Sequence, residues 1–502
     1  LASSAYTLLD AASVAALLRD AQALHVAGRL EEAERGYLGI LALVPAHADA
    51  LHQLGIVLYQ TGRLDDALRT IDQALLCMPE LARIHNSRAA VLVALGRNEE
   101  ALAAYDIVVA LDPTLAAAHF SRGNVLNALL RWEDAATSFE QAECHQADFL
   151  EAQINRALDL YWLRRLGKAR ALYDLVLAHH PGNADALYNS SLCCLAMGDL
   201  AQGWRRYEAR WETSHIKPLQ RELGVPQWRG DDFSVAGKTI LLHAEQGLGD
   251  VLQFCRYAPL VAQQADVVLE VPGPLVRLLT SLPGHGRIIA QGEKLPQFDL
   301  HCPLLSLPFA LDTTLETIPA TIPYLAADPA AVTAWRNRLM ALQGLRVGLC
   351  WAGNPAAQLI DGRRSVGLER LASLGAVAGV HFVSLQKGAA AADAARRPSG
   401  VMIHDWTDEL RDFADTAALV EALDLVITVD TAVAHVAGAL GRPVWILSRF
   451  DACWRWLDGR DDSPWYPTVR LFRQAAPGAW DEVVARVGDA LRERAERVPE
   501  VG

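Results

Sequence analysis

The chain has 502 residues, too many for one hydrophobic core, so two or three domains are expected. At 52% apolar and 21% charged residues, with no long Pro, Ser or Gly tract, its composition is globular and excludes a disordered polymer. A formal net charge of −13 argues against nucleic acid as the main partner, while leaving room for a local basic pocket for one nucleotide.

No run of about 18 uncharged apolar residues occurs, so no membrane span is expected. Leu1 is followed by polar and acidic residues, not by the basic-then-apolar run of a secretory signal. Cysteines at 77, 144, 193, 194, 255, 302, 350 and 453 form no CxxC pair. They read as reduced thiols of a cytoplasmic protein and supply no metal site.

From the amino end, four columns of residues repeat with a 34-residue step. Gly28, Gly62, Gly96 and Gly198 form one, and Ala33, Ala67, Ala101, Ala135 and Ala169 a second. Tyr37, Ile71, Tyr105, Phe139, Tyr173 and Tyr207 form the third, and Pro45, Pro79, Pro113 and Pro181 the fourth. A period of this length predicts a helical solenoid built from hairpins that cannot bury their apolar faces alone. In the second unit, Leu51, Leu54, Gly55 and Leu58 mark helix A, Gly62 ends it, and helix B starts at Leu64 with Ala67, Ile71 and Ala74 inward. Leu130 and Arg164 stand where Gly is expected, and Ala147 where Pro is. The grid resembles the tetratricopeptide repeat and places a solenoid of five repeats and a partial sixth over 14–211.

In such repeats the sixth position of helix A faces the concave groove, and here it reads Arg19, Gln53, Ser87, Ser121, Asn155 and Asn189. Short hydrogen-bonding groups in a column suit the backbone of an extended peptide without demanding a sequence. A groove that is polar only to stay soluble would show the same column.

Beyond residue 235 the pattern changes to short apolar runs alternating with helices, which predicts α/β layers. Strands are expected at 238–243, 266–271 and 287–290, then at 345–350, 381–385, 424–429, 443–447 and 468–472. A Pro- and Thr-rich passage at 311–335 separates the two sets. Two Rossmann-like halves facing a cleft follow, at 235–335 and 336–502, with an amphipathic helix at 480–497 closing the chain.

The first strand leads into Glu245-Gln246-Gly247-Leu248-Gly249-Asp250, with a helix expected from about Val251. Glycine-rich turns of this kind often cradle phosphate, but a terminal carboxylate would repel one. Asp250 either caps its helix or points into the cleft as a base, and the two roles are compatible. In the second half, the strand ending at Val429 delivers Asp430 and Thr431 to a helix start, with His435 one turn in. The backbone N–H groups of Thr431, Ala432 and Val433 would be unpaired donors at a positive helix end, suited to a diphosphate. A helix capped by Asp430 or Thr431, with a satisfied histidine, reads equally well.

These elements resemble a known family. The GLGD turn, the VDTAVAH element at 429–435 and the WAGNP…RRSVGLERL stretch at 351–371 are similar to the heptosyltransferases of bacterial lipopolysaccharide cores. Those enzymes are inverting, metal-independent glycosyltransferases of the GT-B architecture. The WRWLDGRDDSPWYP phrase at 454–467 resembles the closing segment seen when this domain is fused to tetratricopeptide repeats.

By that resemblance Asp250 is the catalytic base, deprotonating an acceptor hydroxyl that attacks the anomeric carbon opposite the leaving diphosphate. The 430–435 turn becomes the diphosphate cradle, with Asp430 near the donor sugar and Arg364 neutralising the leaving group. Lys387 serves alike or meets the ribose side, with Gln386 beside it, though a lysine on a surface loop is more often simply solvated. The turn here reads Arg-Ser-Val-Gly instead of Lys-x-Trp-Pro, and Gln253 lies three residues beyond the aspartate. Both departures bear on the sugar and acceptor more than on the chemistry. Asp231-Asp232 and Asp461-Asp462 do not follow apolar strands, so no metal is expected.

The resulting expectation is an inverting glycosyltransferase without cofactor, using an ADP- or UDP-linked sugar and a protein or peptide hydroxyl held by the repeats. Repeats followed by a GT-B domain are also similar to the O-linked N-acetylglucosamine transferases. A non-catalytic repeat scaffold, transfer to a glycan, and a nucleotide-sugar epimerase are the alternatives.

Overall fold

The computed structural model describes residues 11–230, 234–354, 362–396 and 401–497. The chain divides into two compact units, Leu1–Pro181 and Gly182–Gly502. The first is all helical, in hairpins α1 (Ala11–Val26) with α2 (Leu30–Leu43), α3 (Ala48–Gln60) with α4 (Leu64–Cys77), and α5 (Ala82–Ala94) with α6 (Asn98–Leu111). Hairpins α7 (Ala116–Ala128) with α8 (Trp132–His145), and α9 (Leu150–Trp162) with α10 (Leu166–His179), complete it. The sixth hairpin, α11 (Ala184–Ala196) with α12 (Leu200–Tyr207), keeps the turn of the repeats, with Asp199 N–H on the Cys194 carbonyl at 2.9 Å, and falls in the second unit. Aromatic packing ties it there: Trp204 meets Phe254 and Trp454 edge-on at 5.8 and 5.2 Å between ring centroids.

The repeat columns have direct physical causes. Ala33, Ala67, Ala101, Ala135 and Ala169 are wholly buried, because only a methyl fits where two helices approach this closely. The helix-A glycines serve the same end: a Cβ on Gly55 would lie 2.4 Å from Ile71, and one on Gly123 2.6 Å from Phe139. Gly62 adopts φ +78° while Arg63 N–H reaches back to the Leu58 carbonyl at 2.9 Å, the six-to-one bond of a Schellman turn.

Leu130 and Arg164, the two departures from the Gly column, make the same turn at φ 60° each. Arg131 N–H meets the Leu126 carbonyl, and Arg165 N–H the Leu160 carbonyl, both at 2.9 Å. The turn therefore survives there against the steric preference of L residues. Leu130→Gly and Arg164→Gly are each expected to stabilise the protein by about 1 kcal/mol, read as a higher melting temperature. A lower melting temperature for both would show that these side chains contribute more by packing than their backbone strain costs.

The second unit contains two parallel sheets. The first, in spatial order β3-β2-β1-β4, comprises β1 (Thr239–His243), β2 (Asp266–Val271), β3 (Arg287–Ala290) and β4 (Leu300–Pro303). The second, β10-β9-β8-β5-β6-β7, comprises β5 (Leu345–Cys350), β6 (Val380–Ser384), β7 (Ile403–His404), β8 (Leu425–Val429), β9 (Val444–Ser448) and β10 (Val469–Arg473). All pairs are parallel, and β8 and β9 are buried at every position, as strands covered on both faces must be.

The eight expected strands are present within a residue or so of their expected ends, and β4 and β7 are additions. β4 reads Leu-His-Cys-Pro, whose polar residues interrupt the apolar run, and β7 has two residues. The passage between the sheets includes the helix Pro329–Leu339, and the closing helix runs Trp480–Glu496.

A buried ion network holds the turn after α12 to the first sheet. Arg210, wholly buried, donates to Glu208 at 2.6 Å, Ser306 at 2.7 Å and Glu245 at 3.3 Å. Burial pushes the Glu245 carboxyl up to about 7, with Arg210 acting in the opposite direction.

Candidate active site

The carboxyl ends of β1, β5, β6, β8 and β9 open on one cavity of about 780 Å³. Asp250 lines it from the first sheet's side; Arg364, Gln386 and Lys387 line it from the second. Asp430, Thr431, Ala432, Val433 and His435 complete the set, so the nine residues singled out around the cleft share one space.

The helix after β1 is α13 (Leu248–Phe254), which begins at Leu248 and not at Val251. Asp250 is therefore inside the first turn, and its Oδ2 accepts from the Gly247 N–H at 3.0 Å, satisfying a helix-end donor. The capping role is thus present. Its Oδ1 is taken by Arg455, which arrives from the turn after β9 and was not among the expected site residues. An ionised carboxylate offers about four acceptor positions, so this pairing leaves room for a further hydroxyl.

α13 packs directly on the helix Ala432–Ala439. Gly249 makes this possible: a Cβ there would stand 2.9 Å from His435 Cδ2 and 3.6 Å from Ala432 Cα. His435 cannot yield, since it stacks on Trp456 at 5.4 Å and its Nδ1 meets Tyr466 Oη at 2.9 Å. Gly249→Ala is expected to cost about 1–3 kcal/mol in thermal unfolding; an unchanged melting temperature would show that the two helices separate freely.

His435 is buried, and that burial, reinforced by Arg455 and Arg256, holds its pKa well below the ordinary value. It faces the cavity as a neutral ring. It is not the cation that an anion partner would suggest.

Thr431 is the N-cap of its helix but makes no side-chain capping bond; its hydroxyl lies 3.0 Å from that of Thr428. Ala432 and Val433 open the helix, and among the described residues no acceptor meets their N–H groups. Arg364 Nη1 donates to the Asp430 carbonyl at 3.3 Å, placing its guanidinium beside these donors. The preceding Arg363 instead pairs with buried Asp451 at 2.8 Å.

Gln386 departs from the ligand-binding expectation. Its Oε1 accepts from the Trp351 and Ala352 N–H groups at 3.0 and 2.8 Å, and its Nε2 donates to the Ala352 and Lys387 carbonyls at 3.2 and 2.9 Å. Buried and fully committed, it is a strut that shapes the turn after β5. Lys387 is exposed and donates to the Thr407 carbonyl at 2.7 Å, with two further N–H groups to offer.

Among the described residues no group of acidic, His or Cys side chains has the form of a metal site. Asp461 and Asp462 are described; Asp231 and Asp232, and part of the 351–371 motif, lie outside the described residues.

In the polar column of the repeats Arg19 on α1 is exposed, and the others are half-buried: Gln53 on α3, Ser87 on α5, Ser121 on α7 and Asn155 on α9 in the first unit, Asn189 on α11 in the second. Ser87 is engaged by His52 Nε2 at 2.8 Å, and Asn155 Nδ2 donates to Asn124 Oδ1 at 3.0 Å.

A match to glycosyltransferase family 9 (heptosyltransferase) covers residues 411–447, which includes β8, the 430–435 turn and β9 up to Leu447. Tetratricopeptide repeat matches cover 18–83 and 89–129. The chain joins tetratricopeptide repeats to a heptosyltransferase-like domain. Protein FlbA of Caulobacter vibrioides is 28% identical over 374 residues, and the match covers 69% of this chain. The chain spans 62% of that relative's length.

Similar solved structures include a tetratricopeptide repeat protein from Parabacteroides merdae, 19% identical, covering 40% of this chain and 79% of that one with a TM-score of 0.36. Another is YrrB, a TPR protein with an unusual peptide-binding site, 22% identical, covering 35% of this chain and 91% of that one with a TM-score of 0.33. Among the described residues no helix is long and apolar enough to cross a membrane.

Proposed function

We propose that this chain is an inverting, metal-independent glycosyltransferase that moves a sugar from an ADP- or UDP-linked donor to a protein or peptide hydroxyl held by the repeats, in the cytoplasm. One observation carries the reading: a carboxylate on one lobe and a helix amino end whose N–H groups meet no acceptor among the described residues on the other line the same cavity and touch through Gly249 and His435. In the reaction the acceptor oxygen bonds to the anomeric carbon, and the bond from that carbon to the diphosphate oxygen breaks. The acceptor's proton passes to Asp250. The departing diphosphate gathers negative charge, which the Ala432 and Val433 N–H groups and Arg364 meet. Charge is thus answered where it develops.

The test is a thermal-shift comparison of ADP, UDP and their sugars, followed by transfer assays with the preferred donor. A ligand at 100 times its Kd is expected to raise stability by about 2.7 kcal/mol. Failure of every nucleotide to shift the melting temperature, together with absence of transfer, would leave the scaffold reading in its place.

A further inference from the structure

A second cavity, of about 680 Å³, opens at the other edge of the six-stranded sheet. It lies at the amino ends of the strands, where Arg346 is second in β5, Arg442 precedes β9 and Arg470 is second in β10. Arg494 and Arg497 reach it from the end of the closing helix. Parallel strands of five or six residues span about 17 Å, so this cavity and the cleft lie at opposite ends of the sheet. Five guanidiniums face two carboxylates, Asp424 and Glu493, in a chain whose net charge is −13.

Some of these contacts are structural. Arg346 forms a two-pronged pair with Asp424 at 2.8 Å on both arms, which neutralises that carboxylate. Arg442 donates to the Leu423 carbonyl at 2.6 Å and has the Glu421 carboxylate 3.8 Å away, and Arg494 donates to the Asp424 carbonyl at 3.1 Å. A helix end also favours cations such as Arg494 and Arg497. These bonds anchor the head groups but leave two things over. The Nε–H groups of Arg442 and Arg494 are buried with no acceptor among the described residues. Arg470 and Arg497 are exposed, and among the described residues neither meets a carboxylate. Arg470 is held over the Phe472 ring at 4.6 Å, its charge facing outward.

We infer that this cavity binds an oligophosphate anion, either inorganic or carried on a nucleotide. Guanidinium forks match phosphate oxygens in pairs, and a phosphate chain presents enough acceptors for several forks at once. The volume is that of a pocket for a molecule of nucleotide size, and so favours a compact polyanion over an acidic peptide. The site is independent of the transferase reading.

The test is calorimetric titration of the full chain with tripolyphosphate and with ATP. Because the cleft is itself expected to take a diphosphate, two variants separate the sites. Arg364→Ala alters only the cleft and should keep tripolyphosphate affinity within about threefold at the second site. The double substitution Arg470→Glu with Arg497→Glu, both exposed and away from the cleft, should weaken binding at least tenfold and flatten its salt dependence. ATP binding more tightly than tripolyphosphate would assign the nucleotide form, and equal affinity the inorganic chain. Parent-like binding by the double variant would overturn the proposal, as would loss of all binding in Arg364→Ala. No binding by the parent at millimolar tripolyphosphate, or binding of an acidic peptide in its stead, would also overturn it.

Discussion

Replacing Asp250 by Asn is expected to lower turnover by about 10²–10⁴-fold while leaving the nucleotide-induced rise in melting temperature in place. The amide keeps an oxygen for the Gly247 N–H, so the first turn of α13 retains its internal bond. It cannot accept a proton from an acceptor hydroxyl at neutral pH. The substitution also removes the charge partner of Arg455, whose side chain is only 12% exposed, so some loss of stability accompanies it. Nucleotide binding is therefore the needed second readout. A variant that binds donor normally and turns over within threefold of the parent would exclude Asp250 as the base. Arg455→Lys completes the comparison, because it keeps a cation near the carboxylate but gives up the guanidinium fork. A fall in kcat with little change in KM would mark Arg455 as a positioning residue for Asp250.

The repeats were readable from sequence because their geometry repeats: a methyl at each close helix approach and a left-handed turn after each helix A recur every 34 residues. That Leu130 and Arg164 keep the turn at positive φ was not readable, since those residue types argue against it locally and the neighbouring hairpin geometry overrides them. The strands were readable where both faces are covered, as in β8 and β9, and unreadable in β4 and β7, which are short or interrupted by polar residues. The Asp250 cap follows from its place in the GLGD turn. Its pairing with Arg455, 205 residues on, leaves no trace in local spacing. The same holds for the contacts with Trp456 and Tyr466 that fix the His435 ring, and for the backbone groups that occupy Gln386. Motifs mark the chain segments that form the cleft; long-range partners decide how each side chain is used there.

The solenoid contains one acid whose titration should dominate its response to pH. Asp159, on α9, is wholly buried, and the only hydrogen-bond partner of its carboxyl among the described residues is Asn127, whose Nδ2 donates at 2.6 Å. Burial pushes its pKa up to about 8, against the lowering effect of Asn127. The folded chain therefore holds a proton that the unfolded chain releases near the ordinary carboxyl value of about 3.9. Between these values the native state binds more protons, so stability must fall as pH rises. The contribution is full below about pH 4 and gone above about pH 8, with a steepest slope of roughly 1.4 kcal/mol per pH unit. Asp159→Asn offers a neutral amide of the same shape, with an oxygen for Asn127 at every pH. Unfolding by denaturant at pH 5 and pH 8.5 should show the parent losing several kcal/mol between the two, and the Asp159→Asn variant much less. Their difference should be small at pH 5 and large at pH 8.5. Parallel curves for the two proteins would mean that the carboxyl is already ionised in the native state, and that water reaches it through the α7–α9 contact.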